Sequence, residues 1–297
     1  MREIRRILCP VDLSDGSRHS VRHAALLARW YDAKISALHV WNPRVVASAD
    51  FAFVGTAPSA MLASKELNDV RRQIVGCLGA GGALDVEVLI HGGQPPNQIL
   101  ETAAALPADM IVIGTYGAGG FEHLMLGSVT EKVLRQATCA VLTVPPHARG
   151  ASRLPYRRVL CHVDFSESSL AALEFAFSLA QESDAELTIL HVFEWPADGD
   201  PLVNRSFSAP EYLRERECDG PIRLEALVPE ATRDWCRPTT RIAHGKPYRV
   251  ILGVAIEDSA DLIVMGVHGN ALDLMLFGST TNQVVRRATC PVLTLRR

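Results

Sequence analysis

Two rhythms of apolar residues alternate along this chain. Short unbroken apolar runs bounded by turn formers are the pattern of strands buried on both faces. Stretches with apolar residues three and four apart are the pattern of helices with one buried stripe. Arg6–Val11 is a run of the first kind, and Ser17–Tyr31 follows with a stripe at Val21, Ala24, Ala25 and Ala28. Lys34–Val40 predicts a second strand, Ser59–Leu78 a helix, Val86–His91 a third strand and Pro96–Leu106 a helix. Met110–Gly114 predicts a fourth strand, Ser128–Gln136 a helix and Ala140–Val144 a fifth strand. Strand and helix in alternation define βαβ units, whose right-handed crossovers lay the strands parallel in one sheet.

The pattern then occurs a second time, from Val159 to Leu295. RRILCPVDLS from Arg5 matches RRVLCHVDFS from Arg157, an offset of 152 that also carries His39-Val40 onto His191-Val192 and Gly93-Gln-Pro95 onto Gly245-Lys-Pro247. Beyond Gly266-x-x-Gly269, the counterpart of Gly114-x-x-Gly117, the offset falls to 151, so the second copy is one residue short there. Gly127-Ser128 then meets Gly278-Ser279, and ATCAVLTV from Ala137 meets ATCPVLTL from Ala288. A repeat of this length is a whole domain rather than a solenoid unit. The turn-rich stretch from Pro145 to Tyr156 joins the copies, which predicts domains at 1–147 and 155–297. In the second copy Gly220-Pro221 is expected to interrupt the second helix.

Composition narrows the classes. Apolar residues make up 48% of the chain, and 30 basic against 33 acidic residues give a net charge of −3. That is ordinary globular usage without the basic footprint of a nucleic-acid or membrane-surface binder. The start, MREIRRILCPVDLS, does not read as a secretory signal, and no apolar run is long enough to span a bilayer. Seven cysteines without a CxxC pair read as reduced thiols, so a soluble cytoplasmic protein is expected. Cys9, Cys139, Cys161 and Cys290 fall in or beside strands and read as small core residues; Cys77, Cys218 and Cys236 lack repeat partners and could be partly exposed.

In an open parallel sheet, ligands bind beyond the carboxyl ends of the strands where the winding reverses. Three segments converge there: Asp12 after the first strand, His39-Val40 at the end of the second, and the long loop from Gly114 to Gly127-Ser128 after the fourth. Glycines let a backbone approach an anion, and the helix opened by Gly127-Ser128 offers unpaired N–H groups and a favourable dipole. The hydroxyls of Ser128 and Thr130 could add hydrogen bonds, and Asp12 suits an adenine amino group or a ribose hydroxyl. Asp12 and Asp164 could instead cap the following helices, the glycines could be turn formers only, and strand-end histidines such as His39 and His191 are usually structural.

Gly114-x2-Gly117-x9-Gly127-Ser128, with VDLS around Asp12 and the terminal CAVLTVP, resembles the ATP-binding signature of the universal stress protein family, and the likeness runs along nearly the whole chain twice. The resemblance implies two Rossmann-like α/β domains, each a five-stranded parallel sheet of order 3-2-1-4-5 flanked by helices. It implies ATP, ADP or AMP as ligand, with Mg²⁺, and stress survival as the role. It also implies pairing of the two domains as an internal pseudo-dimer, with a homodimer an open alternative. By that likeness Asp12 and Val40 face the base and ribose, while Gly114, Gly117, Gly127, Ser128, Val129 and Thr130 hold the phosphates. The second copy supplies Asp164, Val192, Gly266, Gly269, Gly278, Ser279 and Thr280.

This sequence departs from the family pattern in two ways. The second loop reads Gly266-x2-Gly269-x8-Gly278, and one residue fewer could move its N–H groups by up to ~3 Å. The first loop carries Glu122 and His123, and the second Asp273, where similar proteins often carry arginines. With no P-loop lysine either, ADP or AMP is expected to bind about as well as ATP. No base is set against an activated nucleophile, so turnover is expected to be slow if it occurs. A hydrolase or transferase would need His123 or Glu122 as base, and a ligand-free interaction module would leave the loop without a role.

Overall fold

The computed structural model describes residues 4–41, 85–116, 126–146, 154–194, 219–234, 238–267 and 278–296, together with 68, 71–72, 75–76, 148 and 236. It divides into two compact units, one built on Glu3–Leu154 and the other on Pro155–Ala288 and Val292–Arg297. In the first, β1 (Arg6–Pro10), β2 (Lys34–Trp41), β3 (Val86–Gly92), β4 (Met110–Gly114) and β5 (Ala140–Val144) form a parallel sheet of order β3-β2-β1-β4-β5. Its helices are α1 (Asp15–Tyr31), α2 (Pro95–Ala105) and α3 (Ser128–Gln136). Of the expected helix Ser59–Leu78, only 68, 71–72 and 75–76 are described, and these are helical.

The second unit repeats the plan with β6 (Arg158–His162), β7 (Glu186–Phe193), β8 (Thr239–His244), β9 (Leu262–Gly266) and β10 (Val292–Leu295), in the order β8-β7-β6-β9-β10. Its helices are α4 (Glu167–Ser183), α5 (219–226), α6 (Pro247–Glu257) and α7 (Ser279–Arg287). Residues 219–226 are helical, with Gly220-Pro221 in the first described turn, where a proline is tolerated; the part of the expected helix before them lies outside the described residues. Gly220 is needed by packing: a Cβ there would lie 2.5 Å from Cζ of Phe193.

β1 and β6 share the pattern of one exposed residue followed by four buried ones, as strands covered on both faces must. Both are pinned at their starts by an aspartate at the head of the neighbouring strand. Asp109 Oδ2 accepts the Arg5 and Arg6 N–H groups at 2.8 and 2.9 Å, and Asp261 Oδ2 those of Arg157 and Arg158 at 2.8 and 3.1 Å. The clamp sets the β1–β4 register, Ile7 opposite Met110, and its copy sets Val159 opposite Leu262.

Serine starts the first helix of each unit. Ser14 and Ser166 accept the N–H of Ser17 and Ser169, each at 3.2 Å, and Asp32 and Asp184 close the far ends in left-handed conformation at φ 51°. Cys9, Cys161, Cys236 and Cys290 are buried. Burial pushes the Cys139 and Cys236 thiols up to about 11 and the Cys161 thiol higher still. Cys236 is therefore a core residue rather than a partly exposed one; Cys77 and Cys218 lie outside the described residues. Among the described residues no helix is long and apolar enough to cross a membrane.

Candidate functional site

The winding of the first sheet reverses between β1 and β4, and a cavity of about 150 Å³ opens at their carboxyl ends. An apolar cavity of that size holds roughly one aromatic ring. The end of β1 and its exit supply Pro10, Val11 and Asp12, and β2 supplies Leu38 and Val40. Ile113, Gly114 and Tyr116 come from β4 and the residues after it, and Gly127, Val129 and Thr130 from the start of α3. Ser17 of α1 and Pro95 and Ile99 of α2 complete the wall.

The structure thus brings Asp12, Val40, Gly114, Gly127, Val129 and Thr130 to one cavity. Ser128 stands between two of its lining residues; Gly117, Glu122 and His123 lie outside the described residues, as do Gly269 and Asp273 of the second copy. Gly127 is the N-cap of α3, and the first intrahelical bond runs from Glu131 N–H to the Gly127 carbonyl at 2.9 Å. The N–H groups of Ser128, Val129 and Thr130 therefore have no acceptor within the helix. They form a positive helix end against the cavity wall.

Two side chains have partners that the sequence did not foretell. Asp12 Oδ1 accepts the N–H and hydroxyl of Ser14 at 3.0 and 2.6 Å, which makes Ser14 the cap and Asp12 its anchor. Leu13 between them sits at φ 65°, and its counterpart Phe165 at 63°, a conformation that costs a bulky residue energy. Thr130 donates its hydroxyl to the Gly114 carbonyl at 2.8 Å, tying α3 to β4 rather than offering its proton to a phosphate. His39 bonds the Val11 carbonyl through Nδ1 at 2.8 Å, and His191 bonds that of Val163 at 2.7 Å, which is the structural role expected of strand-end histidines.

The walls from α2 escaped sequence reading. Their signal is the recurrence of Gly93-Gln-Pro95 as Gly245-Lys-Pro247, in which Gly93 and Gly245 adopt φ values of 143° and 132° that favour glycine. In the second unit α7 begins at Ser279 behind the N-cap Gly278, as α3 does at Ser128. Thr281, rather than Thr280, repeats the tie of Thr130, reaching the Gly266 carbonyl at 3.5 Å. The tie between helix and strand measures 3.5 Å in the second unit against 2.8 Å in the first.

Two such sheets, each with a helix starting behind a glycine N-cap at its switch point, define a tandem of Rossmann-like domains. The universal stress protein family model matches residues 3–145 and again 155–296, and the chain belongs to that family. A universal stress protein of Mycolicibacterium smegmatis is 29% identical, over 98% of this chain and 96% of that protein. One from Mycobacterium tuberculosis is 30% identical, over 77% of this chain and 78% of its own length. The crystal structure of a universal stress protein from Archaeoglobus fulgidus matches the fold with a TM-score of 0.66 at 24% identity, covering 100% of this chain and 97% of that one.

Proposed function

We propose that the N-terminal domain binds an adenine nucleotide as a regulatory or structural ligand of a stress-response protein. The observation that carries this is the junction of an apolar, ring-sized cavity with the acceptor-free N–H groups of Ser128, Val129 and Thr130. The base lies against Val11, Val40 and Ile113, the ribose meets the Asp12 turn, and the phosphates meet the start of α3 and the Gly114 to Gly127 loop, Gly117 included. Such a ligand favours the folded, bound conformation by mass action.

Backbone amides supply the anion grip, and among the described residues no lysine or arginine lines the cavity. Affinity then depends weakly on phosphate count, with ADP and AMP within about tenfold of ATP, or ~1.4 kcal/mol. Mg²⁺ fits as a companion of the phosphates. Among the described residues no three His, Cys, Asp or Glu side chains lie close enough to hold a metal, and nucleotide-bound Mg²⁺ needs only one or two protein oxygens beside phosphate and water.

Calorimetric titration of the full chain with ATP, ADP and AMP in Mg²⁺ tests this. Binding of all three within a tenfold range is expected. ATP bound a hundredfold more tightly than ADP would refute the amide-only grip, and no binding of any of them would refute the nucleotide reading itself.

A further inference from the structure

Resting on the nucleotide reading of the N-terminal half, we infer that the chain holds one nucleotide rather than two, because the C-terminal half fills its own base pocket with side chains. The anion-facing end is retained there, since Gly278 caps α7 as Gly127 caps α3. The difference lies where the base would go.

His162 stands where the first copy has Pro10, and Met265 where it has Ile113. Pro10 and Ile113 both line the N-terminal cavity. His162 and Met265 are register partners on the adjacent strands β6 and β9, so an imidazole and a long thioether side chain come together on that same wall. The imidazole is larger than the proline ring it replaces and the thioether longer than the isoleucine, so they take up room on the wall where the first copy leaves a cavity.

The neighbouring turn is tighter as well. Ser168 replaces Gly16 in the turn after the first strand of the unit, and its hydroxyl lies 3.2 Å from that of Ser166. The backbone of this turn presses on the end of β9. A Cβ on Gly266 would meet the Ser168 carbonyl carbon at 2.5 Å and its oxygen at 2.7 Å, whereas a Cβ on Gly114 would find nothing nearer than 3.5 Å. Val192 is only 7% exposed. Val40, by contrast, borders an open cavity. A base entering the second site would meet an imidazole, a methionine side chain and a backbone turn closer to the strand end, whereas the first site already holds a cavity.

Native mass spectrometry of the full chain, titrated to saturation with ADP and Mg²⁺, counts the sites. Photolabelling with an azido-adenine diphosphate, followed by peptide mapping, places them without relying on any variant. One nucleotide per chain, with label recovered only from peptides of residues 1–147, is the expected result. Two nucleotides per chain, or label in peptides of residues 155–297, would overturn the inference while leaving the nucleotide reading standing. No nucleotide on any chain would overturn both. Val40→Trp, which fills the first cavity from a half-buried strand end, should abolish binding altogether; a full equivalent retained by the folded variant would also overturn the inference.

Discussion

The same glycine-to-alanine change should have opposite consequences at the two equivalent strand ends. At Gly266 the new methyl would sit 2.5 Å from the Ser168 carbonyl carbon, 2.7 Å from its oxygen, and in collision with the Ser169 nitrogen. Carbon contacts are comfortable at ~3.5–4.0 Å, so the first turn of α4 must retreat by about 1 Å. That turn is backbone and cannot swing aside like a side-chain tip. It also opens a helix whose buried face includes Ser168, Ser169, Ala172 and Leu173. Overpacking of this kind costs roughly 1–3 kcal/mol, and the rigidity of the neighbour places Gly266→Ala near the upper end.

At Gly114 the nearest atoms are the Gly16 and Tyr116 carbonyl oxygens, both at 3.5 Å, an ordinary contact. Gly114→Ala should then be neutral or stabilising by about 0.5 kcal/mol through the less flexible unfolded chain. A two-domain chain need not unfold in one step, so hydrogen exchange read peptide by peptide is the appropriate assay. Gly266→Ala should lower protection in peptides from β6, α4 and β9 about a hundredfold, which corresponds to ~3 kcal/mol, and leave β1 and β4 peptides unchanged. Equal loss of protection in both variants, or none in Gly266→Ala, would refute the reasoning.

Three further outcomes follow from the packing. Thr115, 2% exposed, has a hydroxyl with no hydrogen-bond partner among the described residues, and the second copy places the buried Val267 there; Thr115→Val should stabilise the N-terminal domain by about 1 kcal/mol in urea unfolding. Asp32 and Asp184 hold left-handed conformation at helix C-termini, where their negative charge also opposes the helix dipole, so Asp32→Gly and Asp184→Gly should each stabilise by roughly 0.5–1 kcal/mol. The thiols of Cys139 and Cys236, raised to about 11, stay protonated in the folded chain above the pH at which the unfolded chain ionises them. The folded state therefore binds more protons between about pH 9 and 11, and stability measured by denaturant titration should fall across that window, while Cys139→Ser and Cys236→Ser should flatten the fall.

Most of the fold was legible because its signals are local or repeated. Apolar runs located the five strands of the first domain to within a residue or two, and the recurrence of the pattern at an offset of 152 announced a second domain. The start of α3 was legible from Gly127-Ser128, since a helix N-terminus is written in adjacent residues. What stayed hidden depends on contacts across the fold. Pro95 and Ile99 reach the cavity only after a crossover brings α2 against β2, and nothing in their immediate surroundings shows it. Thr130 read as a ligand donor because the carbonyl it bonds, that of Gly114, lies on another element. Asp109 drew no reading at all, since the two backbone N–H groups it holds lie more than a hundred positions away. Gly220 read only as a turn signal, because the ring packed against it, Phe193, belongs to a strand.

The decisive measurement is a crystal structure of the full chain grown with Mg-ADP. The expected density is a purine against Val40 and Ile113, with phosphate oxygens at ~2.7–3.2 Å from the N–H groups of Ser128 to Thr130. A collapsed cavity in the N-terminal domain, or a nucleotide bound away from the β1 and β4 ends, would contradict the account.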